Sequence, residues 1–227
     1  GYVDIRKKYE QKSEYRYTPY IKCGKYYETK VISNYIKDNV DIVTTGDGLY
    51  KYNDSYYYKG EYPNNYIILG NRLYRILEIT EDDNLKVIST EKTSNSYVWD
   101  NRFNSEKGDY YGINIFSKSR LKDNLIFLYQ NTNPDKGEIY FSNTEKEYII
   151  EHDFCVGKRS ESDVAISSDN ECKETFPLKV GLISVSEYFR ASIDSGCNSV
   201  RKKECNNYNY LFLLTGGKRK RIATLTA

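Results

Sequence analysis

From Leu49 onward the chain alternates apolar and polar residues with a period of two, the spacing of half-buried strands. Tyr56-Tyr57-Tyr58 runs into KGEYPNN, where Gly60, Pro63 and Asn64-Asn65 make a turn. NYIIL (65–69), the Gly70-Asn71 turn and RLYRILEI (72–79) read as a hairpin. EDDN (81–84) then turns the chain into a third strand, LKVIS (85–89). Elsewhere the period lengthens. Tyr2, Ile5 and Tyr9 permit a short amphipathic helix, and Val31, Ile32, Tyr35 and Ile36 predict another, before a turn at 44–48. Residues 93–116 read as a long loop. Ser117 or Ser119 caps a helix in which Leu121, Leu125 and Leu128 share one face, ended by Asn133-Pro134 and Lys136-Gly137.

Beyond that helix the signals are shorter. GEIYF is an extended piece, and Thr144 with Glu147 has capping-box spacing ahead of Tyr148, Ile149 and Ile150. A polar loop follows to Pro177. KVGLIS (179–184) predicts a strand, Ser184 or Ser186 starts a helix over SEYFRAS, and YLFLLT (210–215) and RIATLT (221–226) predict two strands around a Gly-Gly turn. The last strand stops at the chain's end with no following partner in sequence, and we expect it to be unpaired. Together these elements predict an α+β fold: mixed, twisted antiparallel sheets with a few short helices and long loops. They divide into a charged helical extension over residues 1–46 and a globular domain over residues 47–227.

Composition narrows the function. The 227 residues include 25 Tyr and no Met. Tyr packs its ring and keeps its hydroxyl wet, so the surplus suits half-buried strands or a binding surface. Without an initiator Met, we expect a segment upstream of Gly1 to have been removed. Net charge +2 argues against nucleic acid as a partner, and no apolar run is long enough to cross a membrane, so any membrane attachment is expected upstream of Gly1.

Five cysteines lie at Cys23, Cys155, Cys172, Cys197 and Cys205, with no C-x-x-C pair to suggest zinc. The polar stretches between Cys155 and Cys172 and between Cys197 and Cys205 lack apolar anchors. They gain most from a staple, so we expect Cys155–Cys172 and Cys197–Cys205 disulfides and an extracellular setting, with Cys23 left over.

Catalytic signatures are sparse. His152 is the only histidine, and Cys155 three residues on makes a Cys/His nucleophile conceivable, although an exposed His beside a disulfide cysteine is the plainer reading. Asp47 and Glu81-Asp82-Asp83 fall in turns, and D-x-D-x-D-G spacing is absent. Gly216-Gly217-Lys218 lacks the flanking residues of a phosphate loop. Lys218–Arg221 with Arg201-Lys202-Lys203 forms a basic patch that would suit an anionic polymer, and Asn53-Asp54-Ser55 is a formal glycosylation sequon. No cofactor or metal is expected.

Several motifs occur as an ordered set: YYYKGEYPNNYIILGNRLYRILEI, then Ser96-Tyr97-Val98-Trp99-Asp100, Gly112-Ile113-Asn114, Ser119-Arg120-Leu121, Gly181-Leu182-Ile183-Ser184-Val185-Ser186-Glu187-Tyr188, and Asn209-Tyr210-Leu211 through Leu214-Thr215. Over residues 47–227 this set resembles a domain-of-unknown-function family of secreted or membrane-anchored proteins from low-GC Gram-positive gut bacteria. The resemblance implies a C-type-lectin-like fold, shared with the sulfatase-modifying-factor group, often behind a membrane or pilin-like N-terminal segment. It carries over no catalytic residues. Tyr74 stands where Trp is commoner in the family, the Trp-Leu pair near residue 210 is altered, and the family's ending after the equivalent of RIATLTA is absent.

The expectation that follows is a non-catalytic, cell-surface binding module. It would recognise a glycan or a protein through loops 93–116 and 198–221, with Tyr97, Trp99, Asn101, Tyr110 and Tyr111 as contact residues. Two alternatives rest on other features: a pilin-like filament subunit assembled with copies of itself, from the unpaired final strand, and a cell-wall or glycan hydrolase, from the plentiful carboxylates.

Overall fold

A computed structural model describes residues 29–70, 72–91, 96–110, 112–131, 140–158, 168–194, 196–197, 209–211 and 225–226. Helix α1 (Thr29–Asn39) places Ile32 and Ile36 one turn apart and buries Ile36 in the core. Strands β1 (Gly48–Tyr52) and β2 (Ser55–Lys59) form a tight hairpin whose turn residue Asn53 has φ 51°, a conformation Asn tolerates. β3 (Tyr66–Leu69), β4 (Arg72–Ile79) and β5 (Leu85–Ser89) then follow with the antiparallel pairing the alternation predicts, β4 and β5 with the predicted bounds and β3 starting one residue later.

β4 organises the sheet. Its first half pairs with β3, its second half with β2, and its other edge with β5. The register shifts between Ile76 and Glu78, so Leu77 is an extra residue in the ladder. That bulge lets Tyr74, Ile76, Leu77 and Ile79 all enter one core, where strict alternation would send Leu77 outward. The β4–β5 turn is held by α1: Ser33 Oγ donates to the Asp83 carbonyl at 2.7 Å and Lys37 Nζ meets Asp83 Oδ1 at 2.5 Å.

A second core lies around helix α2 (Arg120–Gln130). Ser119 caps it, its side chain accepting from the Lys122 amide, and Leu121, Leu125 and Leu128 are buried as one stripe. They pack with Phe116, Phe141, Ile149, Phe154, Leu178 and Val180. Helix α3 (Asn143–Tyr148) begins earlier than the Thr144/Glu147 spacing suggests. The capping box belongs to Ser142 and Glu145, because Ser142 is the residue with extended backbone (φ −62°, ψ 161°) and Glu145 reaches back to its amide.

The segment expected to be a polar loop up to Pro177 contains a second sheet: β6 (His152–Cys155) pairs antiparallel with β7 (Thr175–Leu178), next to a short helix α4 (Ser168–Glu171). The strand expected over 179–184 is reduced to β8 (Gly181–Leu182). Gly181 is required there, since a Cβ would meet the Phe154 ring at 2.3 Å. Helix α5 (Val185–Arg190) starts at the Ser184 cap, with Glu187 closing the box. Tyr210 and Leu211 form a helical turn rather than the start of a strand. Strand β9 (Leu225–Thr226) corrects the expectation of an unpaired end: it is bonded between β5 and β8. The resulting seven-stranded sheet runs β1-β2-β4-β5-β9-β8, with β3 beside β4. The architecture is α+β, and among the described residues no helix is long and apolar enough to cross a membrane.

Candidate binding loop and the polar row beneath helix α5

The loop over residues 96–116 is built on buried polar anchors. Asp100 is buried and accepts four hydrogen bonds: Arg102 Nε at 2.8 Å, Arg102 Nη2 at 3.1 Å, the Arg102 amide at 3.3 Å and the Ile113 amide at 3.1 Å. The Arg102 guanidinium beside it, joined by those amides, holds its carboxyl down to about 2. Gly112 (φ +67°) lets the backbone come this close, because a Cβ would lie 2.5 Å from that of Asp100. Arg102 Nη2 also donates to the Lys118 carbonyl, tying the loop to the start of α2.

Asn104 is the second anchor. Its Nδ2 donates to the Gly112 carbonyl at 2.9 Å, its Oδ1 accepts from the Glu106 amide at 3.0 Å, and its backbone pairs antiparallel with Asp109. That pairing makes residues 103–110 a small hairpin. Phe103 and Tyr110 face each other across it as an edge-to-face pair with centroids 5.2 Å apart, and both project into solvent, 53% and 74% exposed. Tyr52, Tyr62 and Phe127 are exposed as well, but Phe103 and Tyr110 are a ring pair set on buried polar anchors.

The sequence-predicted contact residues distribute unevenly around this hairpin. Tyr110 is one half of the exposed pair. Trp99 is 40% exposed, but its Nε1 donates to the Ile113 carbonyl at 3.1 Å and its ring meets Phe116 edge-on, so it serves as an anchor as well as a surface. Tyr97 is half-buried against the second core, and Asn101 is exposed. Tyr111 lies outside the described residues. Phe103 was not singled out from sequence. Its signal was the turn-forming run Asn104–Asp109 flanked by two aromatics, the pattern of a short hairpin.

Among the cysteines, Cys155 and Cys172 form a disulfide with Cα atoms 4.3 Å apart. Cys197 is also disulfide-bonded. Its expected partner Cys205, and Cys23, lie outside the described residues. His152 and Cys155 belong to one strand with an odd spacing, so they point to opposite faces, and Cys155 is engaged with Cys172. The Glu171 carboxylate, next to Cys172 in sequence, accepts from the Ser186 amide at 3.2 and 3.3 Å, linking the disulfide to the first turn of α5.

Titratable groups concentrate on the sheet beside α5. Tyr50, Tyr57, Glu78 and Lys86 stand opposite one another across β1, β2, β4 and β5. Lys86 pairs with Glu187, and Arg190 lies 4.4 Å over the Tyr57 ring. Burial lifts the Glu78 carboxyl above its ordinary range, against the pull of Lys86 and Arg190. Burial also acts to lift Glu187, but Lys86 and the Ser184 amide and hydroxyl outweigh it and leave that carboxyl lowered. The hollow that Tyr57, Glu78, Glu187 and Arg190 share with Leu77, Ala191 and Tyr210 has room for about one water. An acid held up beside an acid held down is an arrangement suited to proton transfer. Here Glu187 is committed to the helix cap and to Lys86, and the network fastens α5 to the sheet.

Comparison with protein-family models, curated proteins and solved structures gives no match for this chain.

Proposed function

We propose that this protein is an extracellular, surface-attached binding module of C-type-lectin-like fold that recognises a glycan through the 96–116 loop and has no catalytic role. The observation that carries the reading is the exposed Phe103–Tyr110 pair, fixed by the buried Asp100 and Asn104 anchors. Rings held in advance lose little freedom on binding, and their faces suit the C–H-bearing faces of sugars. Exposed Asn101, two residues before Phe103 in the same loop, offers an amide for hydroxyl groups. The Arg102 charge is paired with Asp100. A disulfide accords with an oxidising, extracellular setting.

A glycan array followed by calorimetry on the hits tests this reading. Phe103→Ala and Tyr110→Ala should each weaken binding by about tenfold, roughly 1.4 kcal/mol, with an unchanged melting temperature. An array with no hits, or hits that both variants bind as well as the parent, overturns it. Retention of a protein ligand with the same sensitivity to the two variants would move the reading to protein recognition.

A further inference from the structure

A second feature, on the opposite side of the polar row from Lys86, concerns two cations. Lys59 ends β2 and Arg190 ends α5. The residues that follow them are joined directly, Gly60 N donating to the Ala191 carbonyl at 2.8 Å. This contact fixes the two side chains as neighbours. Each then lies over one ring of the same cross-strand pair: Lys59 Nζ is 4.8 Å from the Tyr50 centroid and Arg190 Cζ is 4.4 Å from that of Tyr57. The rings are themselves held. Tyr50 Oη donates to the Gly46 carbonyl at 2.6 Å, and Tyr57 is hydrogen-bonded to Glu78.

Two like charges side by side cost free energy unless something offsets them. None of the ion pairs among the described residues involves Lys59 or Arg190. Arg190 is near the Glu78 carboxylate, and the Asp47 carboxylate, which accepts from the Glu61 and Tyr62 amides, acts on Tyr50; the charge that shifts Lys59 is that of Arg190. Burial and that neighbouring charge both push the Lys59 ammonium below its ordinary range. Further along the same face of β1, Tyr52 is exposed, and no cation of the described residues lies over its ring.

We infer that Lys59 and Arg190, set on the Tyr50–Tyr57 pair, form an oxyanion site for the sulfate or carboxylate groups of an acidic glycan, with the free face of Tyr52 beside it. An oxyanion between the two cations would relieve their repulsion, and the Arg fork gives it direction. The site does not depend on the 96–116 loop.

The test uses the intact chain and three probes: inorganic sulfate, a sulfated oligosaccharide of defined length and its desulfated counterpart. Amide chemical shifts of Lys59, Gly60, Arg190 and Ala191 should move with the sulfated oligosaccharide and, more weakly, with sulfate. The desulfated sugar should leave them in place. Lys59→Gln and Arg190→Gln should each weaken the sulfated probe by at least about tenfold, while Arg190→Lys recovers part of the loss and Lys51→Gln, on the other face of the hairpin, changes nothing. Because Lys59→Gln removes a repulsion, its melting temperature should not fall, so a loss of binding cannot be put down to unfolding. Phe103→Ala should leave this binding intact, which separates the two sites. The inference is overturned if the sulfated probe moves none of these amides, or if both Gln variants bind it as the parent does.

Discussion

The Asp100 carboxylate holds the Arg102 guanidinium at two points, Oδ1 accepting from Nε at 2.8 Å and Oδ2 from Nη2 at 3.1 Å. Through Ile113 and Lys118 the same pair closes the loop that displays Phe103 and Tyr110. Asp100→Ala should therefore weaken ligand binding without Asp100 touching the ligand. Amide exchange at Ile113 should accelerate at the same time, which a deleted ligand contact would not produce. The pH dependence has a definite sign. A carboxyl lowered to about 2 in the folded chain, against 3.8 for an ordinary aspartate, contributes stability that is present above about 4 and lost as the pH falls toward 2. Thermal melts between pH 2 and 5 should show a steeper decline for the parent than for Asp100→Asn.

Arg75 is 3% exposed and lies between two rings, 4.3 Å from the Tyr66 centroid and 4.6 Å from that of Tyr210. Its Nε donates to Asn65 Oδ1 at 2.7 Å and its Nη2 to the Pro63 carbonyl at 2.9 Å. Asn65 in turn donates from Nδ2 to the Ile76 carbonyl, so the 60–65 turn, β4 and the Tyr210 turn share one fastening. Arg75→Ala leaves Asn65 Oδ1 and the Pro63 carbonyl without this donor and opens a gap between the rings. It should cost about 3 kcal/mol or more. Arg75→Lys should recover little, since an ammonium lacks the flat fork that serves both acceptors and both rings. Urea denaturation of the three proteins measures the order.

Much of this fold was legible in the sequence where the signal is local. The β3–β4 hairpin follows from a turn dipeptide between alternating residues, and α2 from a serine cap ahead of a leucine stripe. What was not legible depends on distant partners. The burial of Arg75 depends on Tyr210, which arrives from far along the chain. Leu77 reads as outward until the bulge changes the parity. His152–Cys155 carries a single inward apolar residue, Phe154, so no alternation marks β6 before β7 pairs with it. In the candidate loop, Tyr110 was visible as one of several tyrosines. Phe103 gains its meaning only from the Asn104–Asp109 bridge that sets it opposite Tyr110.

The Cys155–Cys172 disulfide closes a loop of sequence separation 17. On a chain-entropy basis, a loop of that size corresponds to about 3 kcal/mol. The double substitution Cys155→Ser/Cys172→Ser should lower stability by roughly that amount. It should also release Glu171 from the Ser186 amide, seen as faster exchange there than at Glu187, whose amide is held by Ser184. Intact mass of the parent with and without reductant checks the bond independently. An unchanged mass under reduction would remove both the staple and the support it gives to an extracellular setting.

Glu78 offers a prediction of opposite pH sign to Asp100. Its carboxyl is raised, first by burial and then by Glu187, with Lys86, Arg190 and the Tyr57 hydrogen bond working the other way. The folded chain therefore holds this proton more tightly than the unfolded chain. The group's contribution is full below the unfolded pKa, near 4.5, and is lost as the pH rises through the higher folded value. At neutral pH the ionised Glu78 is a cost. Glu78→Gln keeps the shape and a hydrogen-bonding partner for Tyr57 but removes the charge. It should raise the melting temperature at pH 7 by a few degrees, on the order of 1 kcal/mol for a chain of this size, and leave it unchanged at pH 4. Melts of both proteins across that range decide the point. A variant that is less stable than the parent at pH 7 would mean that the ionised carboxylate is needed to hold Arg190 over Tyr57.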